Sequence, residues 1–181
     1  MNKNNLPPFN LNTDLPKFLS YVKKEIPEPE TNSSKFSINK IKDFNNIKSK
    51  IHDIIFMITR DPDEYKQFTP FYLYDLQERK IICIGILSDK INNNKKYNQL
   101  VFILSIPNTI RGAGKIAIYK LANKLEHNYN GIYVGAIPSA VNYYKKFNHV
   151  QISNNTFILS KNQTYNKSYN PDRFILVERD T

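Results

Sequence analysis

Between Ile110 and Leu121 the chain reads IRGAGKIAIYKL: an arginine, two glycines one residue apart and a lysine, set where an apolar run hands over to helical spacing. The whole chain of 181 residues has five glycines. Glycine within a helix costs about 0.5–1 kcal/mol against alanine, and close approach of the backbone to another group is a usual reason to accept that cost. The first turn of a helix presents unpaired N–H groups and the positive end of the helix dipole, which together bind phosphate oxygens. Arg111, Gly112, Ala113, Gly114 and Lys115 are therefore candidates for an anion-binding loop, with Arg111 and Lys115 adding charge. A tight turn would use the same two glycines.

Two common phosphate motifs do not fit. A Walker loop needs wider glycine spacing and Lys-Ser/Thr, whereas Ile116 follows Lys115. A dinucleotide fingerprint needs a third glycine and an acidic residue at a set distance, and neither follows Gly114.

The elements around the loop follow from periodicity. Residues 1–34 hold Pro7, Pro8, Pro16, Pro27 and Pro29, half of the ten prolines, and read as an arm with one helical piece around LPKFLSYVKKEI. Its apolar residues, among them Phe9, Leu11, Phe18 and Tyr21, suit either a tail or a partner-binding segment. KFSINKI reads as a strand; Ile41 to Arg60 is an amphipathic helix, and DPDEYKQF a second, shorter one. FYLYDL, KIICIGILS and NQLVFILSI are strands, separated by a charged turn at 77–79 and a polar loop, DKINNNKKY. A helix from Arg111 to about Glu126 is followed by the strand GIYVGAI, a short helix in PSAVNYYKKFN, and a hairpin of HVQIS and NTFILSK. The last apolar run, RFILVER in the 162–181 extension, adds an edge strand or crosses back over the domain. From Lys35 to Lys161 the order is β-α-α-β-β-β-α-β-α-β-β, an α/β sheet part antiparallel and part parallel.

The net charge of +10 and pI of about 9.5 favour anionic ligands. The lysines are dispersed as pairs rather than gathered in a block, which reads as a basic solvated surface more than as a nucleic-acid groove. No zinc spacing occurs, and no apolar run is long enough to span a membrane. The first fifteen residues carry no apolar signal region, so an intracellular, cytoplasmic setting is expected. The single Cys83, inside KIICIGIL, reads as a buried core thiol.

RGAGKI after one strand and SAVNYYKKFNHV after the next resemble motifs A and B of the GNAT acyltransferases, and the element order over residues 35–161 is similar to that family's fold. The resemblance implies acetyl-CoA as cofactor and an amine as acceptor. It places the pyrophosphate on the backbone of Arg111, Gly112, Ala113, Gly114, Lys115 and Ile116, and the pantetheine arm along Leu104, Ser105 and Ile106. The strand IYVGAI is then expected to splay from its neighbour and leave a V-shaped slot. Tyr144 falls on the family's tyrosine, with Ala140 at its small residue and Tyr143 at the preceding aromatic. A phenol is a suitable proton donor to a departing thiolate, although Tyr144 also fits a core aromatic.

Three positions depart from the pattern. Ile116 stands where the loop ends in a small residue, so its side chain is expected to crowd a pyrophosphate. Asn148 and His149 replace Gly-Phe; asparagine tolerates the left-handed conformation, and His149 reads as a partly exposed histidine at a strand start. No acidic residue lies between Asp89 and Glu126, which leaves Asp75, Glu78 and His52 as distant candidates for a base, each better read as a surface or helix-face group. Two functions follow: an acetyl-CoA-dependent N-acyltransferase, or a catalytically degenerate GNAT-like domain serving assembly of a nucleoprotein or viral particle through its N-terminal arm. A nucleic-acid module unrelated to acyl transfer is a third reading, weakened by the lack of interleaved aromatic and basic residues.

Overall fold

The computed structural model describes residue 49 and residues 67–106, 109–164 and 169–178. The arm, the first strand, His52 and, apart from residues 49, 67 and 68, both early helices lie outside the described residues. Within them the chain forms β1 (Thr69–Asp75), β2 (Lys80–Asn92), β3 (Lys95–Ser105), α1 (Ala113–Lys124), β4 (Ile132–Gly135), α2 (Val141–Tyr144), β5 (His149–Gln151), β6 (Thr156–Leu159) and β7 (Phe174–Glu178). It is an α/β fold on one mixed sheet of seven strands, in the order β5-β6-β4-β3-β2-β1-β7.

The polar stretch 89–97, expected as a loop, is mostly strand. β2 and β3 run to a two-residue turn in which Asn93 and Asn94 take φ of 49° and 59°. Asparagine tolerates that region, and two consecutive left-handed residues match the twist of a hairpin. A parallel neighbour cannot be reached by a tight turn, so β3 connects to β4 through α1; β3 and β4 are the one parallel pair among the described strands.

Ala117, Leu121 and Ala122 are good helix formers, and with Ile116 and Ile118 they form the buried face of α1. That face joins Phe71, Leu73, Ile82 and Leu100 of the sheet in one cluster. Each fully buried isoleucine or leucine there contributes about 1.5–3 kcal/mol. Cys83 is fully buried, as its sequence neighbours suggested, and burial pushes its thiol up to about 12. Tyr72 and Ile84, paired across β1 and β2 and one residue out of phase with Phe71 and Leu73, are buried too. The central strands are thus covered on both faces, which explains why β2 reads as a continuous apolar run.

Among the described residues no helix is long and apolar enough to cross a membrane, and no cluster of His, Cys, Asp and Glu could hold a metal ion.

Candidate functional site

The parallel ladder between β3 and β4 is short: Asn98 faces Ile132, Gln99 faces Tyr133, Leu100 faces Val134, and there it stops. On its other edge β3 pairs with β2, where Phe102 faces Ile86 and Leu100 faces Leu87. Val101 is therefore an extra residue, a bulge at the point where β4 departs. A bulge bends its strand and strengthens the local twist, which turns the end of β3 away from β4.

The gap is an open groove of about 400 Å³ whose walls include Val101, Ile103, Leu104, Val134, Ile137 and Tyr144. Its size is that of a small-molecule site. Val101 is 45% and Ile137 58% exposed, so apolar surface is held open to solvent along it. Among the described lining residues there is no carboxylate.

Tyr144 closes one side. It comes from the single turn of α2, after Pro138 and Ala140 have formed a 3-10 turn that starts the segment. Its ring meets Tyr143 edge-on at 5.2 Å and lies 6.2 Å from Phe157. Burial, reinforced by the nearby Cys83 sulfur, pushes its phenol up to about 12, so it stays protonated across the neutral range. Tyr143 is shifted upward for the same first reason, burial.

Below the groove lies the glycine loop. Gly112 caps α1 in the left-handed region, φ 87° and ψ 13°, and supplies no side-chain cap. Ser105, at the end of β3, takes that role: its Oγ accepts the Gly114 N–H at 3.1 Å. Tyr143 Oη stands 3.3 Å from where a Gly114 Cβ would be, so the Ser105 and Tyr143 hydroxyls flank the first turn. Arg111 is exposed, while Lys115 rests its Nζ 5.4 Å above the Tyr119 ring.

Several expectations change with this geometry. Ile116 does not crowd the loop; it is fully buried in the core, and its N–H bonds to the Gly112 carbonyl. A helical side chain on the core-facing stripe points away from the helix mouth, so Ile116 neither blocks an anion nor offers it a donor. Ile106 is also withdrawn from the cofactor-facing set: its N–H bonds to the Ile82 carbonyl at 2.9 Å, and its own carbonyl accepts from Thr109 Oγ1 at 2.6 Å. Ala113 is fully buried and Gly114 buried, so the first turn is a covered one, with Gly112 and Lys115 partly exposed. Leu104 lines the groove and Ser105 is exposed at its foot.

The distant acids do not serve. Asp75, read as a surface group, is fully buried and bound by Arg173. Glu78 is exposed, 3.9 Å from Lys80. Asn148 does not use the left-handed conformation; the buried Gln163 holds it, accepting its N–H at 3.1 Å and donating to its carbonyl at 2.7 Å. His149 starts β5 half-buried, its Nδ1 2.7 Å from the Phe147 carbonyl and its ring edge-on to Phe157.

Tyr169 was not legible as a site residue. Its Oη donates to the Arg111 carbonyl at 3.3 Å and lies 2.8 Å from the place of a Gly112 Cβ. The two residues are 58 positions apart, and no local pattern announces such a contact.

A larger groove of about 740 Å³ opens at the other end of the sheet. Four of its charged side chains are already paired, Lys96 with Asp89 at 3.2 Å and Lys124 with Glu178 at 3.7 Å, and the Tyr129 hydroxyl donates to Asp89 at 2.6 Å. We favour the smaller groove as the functional one because strand edges without a partner among the described strands, apolar walls and a buried phenol converge there.

No protein-family model matches the chain, and no curated protein matches it significantly.

Proposed function

We propose that this protein is a GNAT-like N-acyltransferase that moves an acetyl group from acetyl-CoA to an amine. One observation carries the reading: β3 and β4 part after Leu100 and Val134, on the strand that leads toward the glycine loop, and Tyr144 stands in the wall of the gap. The β4-side edge of β3 around Leu104 and Ser105, which no described strand pairs, offers main-chain groups to the amides of a pantetheine arm. Arg111, Gly112, Ala113, Gly114 and Lys115 form the phosphate end. Holding thioester and amine together in an apolar groove supplies most of the acceleration.

The amine nitrogen attacks the thioester carbonyl carbon, forming the N–C bond; the tetrahedral intermediate then collapses with cleavage of C–S. The thiolate takes the Tyr144 phenolic proton, and the proton shed by the amine passes to water, which re-protonates Tyr144. No side-chain base is invoked, since the described residues of the groove walls include no carboxylate. The basic surface suits an anionic acceptor.

A second reading has its own support. The Gly114 N–H is capped and Ala113 is buried, so the loop is closed before any ligand arrives. A degenerate domain of this fold, used for assembly rather than turnover, needs no open loop.

Calorimetric titration with acetyl-CoA separates the two. The acyltransferase reading expects saturable binding in the micromolar range, abolished by Gly135→Trp, which fills the groove from a position with open space beside it. No heat at millimolar cofactor with the wild-type chain rejects the enzyme and leaves the assembly reading.

A further inference from the structure

We propose that Tyr169 is a positioning residue for the cofactor site, acting through the Arg111–Gly112 peptide; this rests on the acyltransferase reading above. A trans peptide is planar, so its C=O and N–H point in opposite directions. Tyr169 Oη holds the Arg111 carbonyl at 3.3 Å. That contact fixes the direction of the Gly112 N–H and keeps a carbonyl, which repels anions, from turning toward a diphosphate. The same hydroxyl is 2.8 Å from the place of a Gly112 Cβ, and Gly112 has φ of 87°, so a side chain at 112 is refused twice. Tyr169 is itself held: its ring packs against the core cluster, and the following turn is closed by the Asp172 N–H on Asn170 Oδ1 at 3.1 Å. Arg173 then anchors that turn to Asp75. Residues 169–173 thus reach back to set one peptide of the loop.

The test compares wild type with Tyr169→Phe, which keeps the ring and removes the hydroxyl. Tyr129→Phe, in the opposite groove, serves as control. Calorimetry with free coenzyme A is joined to steady-state kinetics with acetyl-CoA and to amide NMR of Gly112. Loss of one such hydrogen bond is expected to weaken coenzyme A binding about three- to tenfold. KM for acetyl-CoA rises more than kcat falls, and the Gly112 amide resonance moves, while the control binds as wild type does. A merely packing role for Tyr169 leaves the phenylalanine variant unchanged in all three. Equal or tighter binding in Tyr169→Phe overturns the proposal alone, tighter binding marking Tyr169 as a plug. No binding of coenzyme A by the wild type overturns the acyltransferase reading and this proposal with it.

Discussion

Arg173 grips Asp75 with both arms of its guanidinium: Nε reaches Oδ1 at 2.9 Å and Nη2 reaches Oδ2 at 2.6 Å. Asp75 ends β1 and is fully buried, and its Oδ1 also accepts the N–H groups of Gln77 and Glu78. One carboxylate therefore shapes the β1–β2 turn and fastens the turn that leads into β7, 98 positions away. A bidentate pair of this kind has fixed geometry as well as charge. It also removes Asp75 from the list of bases, because a carboxylate already saturated with donors has little affinity for another proton.

The pair predicts an acid-labile contribution to stability. Burial alone would raise the Asp75 pKa, but the Arg173 hydrogen bonds, the Glu78 and Gln77 amides and the Arg173 charge outweigh it and hold the carboxyl below its usual range. A depressed carboxyl stabilises the fold fully above the unfolded value of about 3.9, and that stabilisation fades as pH falls through the lower folded value. Asp75→Asn is expected to lose about 1.5–3 kcal/mol at pH 7. In urea denaturation the gap to wild type narrows below about pH 3.9; a gap that holds constant to pH 2 assigns the loss to packing instead.

Tyr144 predicts the shape of the pH–rate profile. A group with a raised pKa keeps its proton until pH climbs through the raised value, here about 12, whereas an ordinary phenol would begin to lose it near 10. With an amine acceptor, kcat/KM should rise with pH as the amine deprotonates and then stay level to at least pH 10.5. Tyr144→Phe should lower kcat roughly 100-fold with KM little changed. A descending limb near pH 9 in wild type, or full turnover in the variant, removes Tyr144 as the acid.

How much of this was legible in the sequence depends on the range of each interaction. The strands 71–76, 80–88 and 98–106 and the helix after Arg111 stood out because apolar spacing is a local signal, and the described structure has β1, β2, β3 and α1 in those places. The 89–97 segment was misread as a loop because its side chains are polar, while its hairpin depends on the backbone tolerance of Asn93 and Asn94. The Ile116 side chain was misjudged for a related reason: position in a motif says nothing of helical phase, and phase turns it into the core. The capping of Gly114 by Ser105, the grip of Arg173 on Asp75 and the reach of Tyr169 to Arg111 are pairings across 9, 98 and 58 positions, which no window of neighbours encodes.

Two glycines predict opposite responses to one methyl group. Gly85 lies across from Phe71, whose ring tip stands 2.2 Å from the place of a Cβ, with the Phe102 carbonyl oxygen at 2.6 Å. The ring cannot move without disturbing the core, and the carbonyl is backbone, so Gly85→Ala should cost about 3 kcal/mol. Gly135 has nothing within 4 Å of a Cβ, and Gly135→Ala should shift stability by less than about 0.5 kcal/mol. Thermal melts of both variants check the contrast, and equal melting temperatures would count against the close packing of Phe71 on β2.

Ser105 predicts a trade between folding and binding. Its Oγ supplies the cap that Gly112 cannot, so Ser105→Ala should destabilise the chain by about 0.5–2 kcal/mol. The same change frees the Gly114 N–H, one of the donors a diphosphate would otherwise have to take from the serine. Acetyl-CoA should therefore raise the melting temperature of Ser105→Ala by more than it raises that of wild type, since the ligand now restores a lost cap as well as binding. Differential scanning fluorimetry with and without cofactor reads this directly. A smaller shift in the variant means that the serine hydroxyl itself meets the ligand, and the Gly114 amide is then no part of the phosphate site.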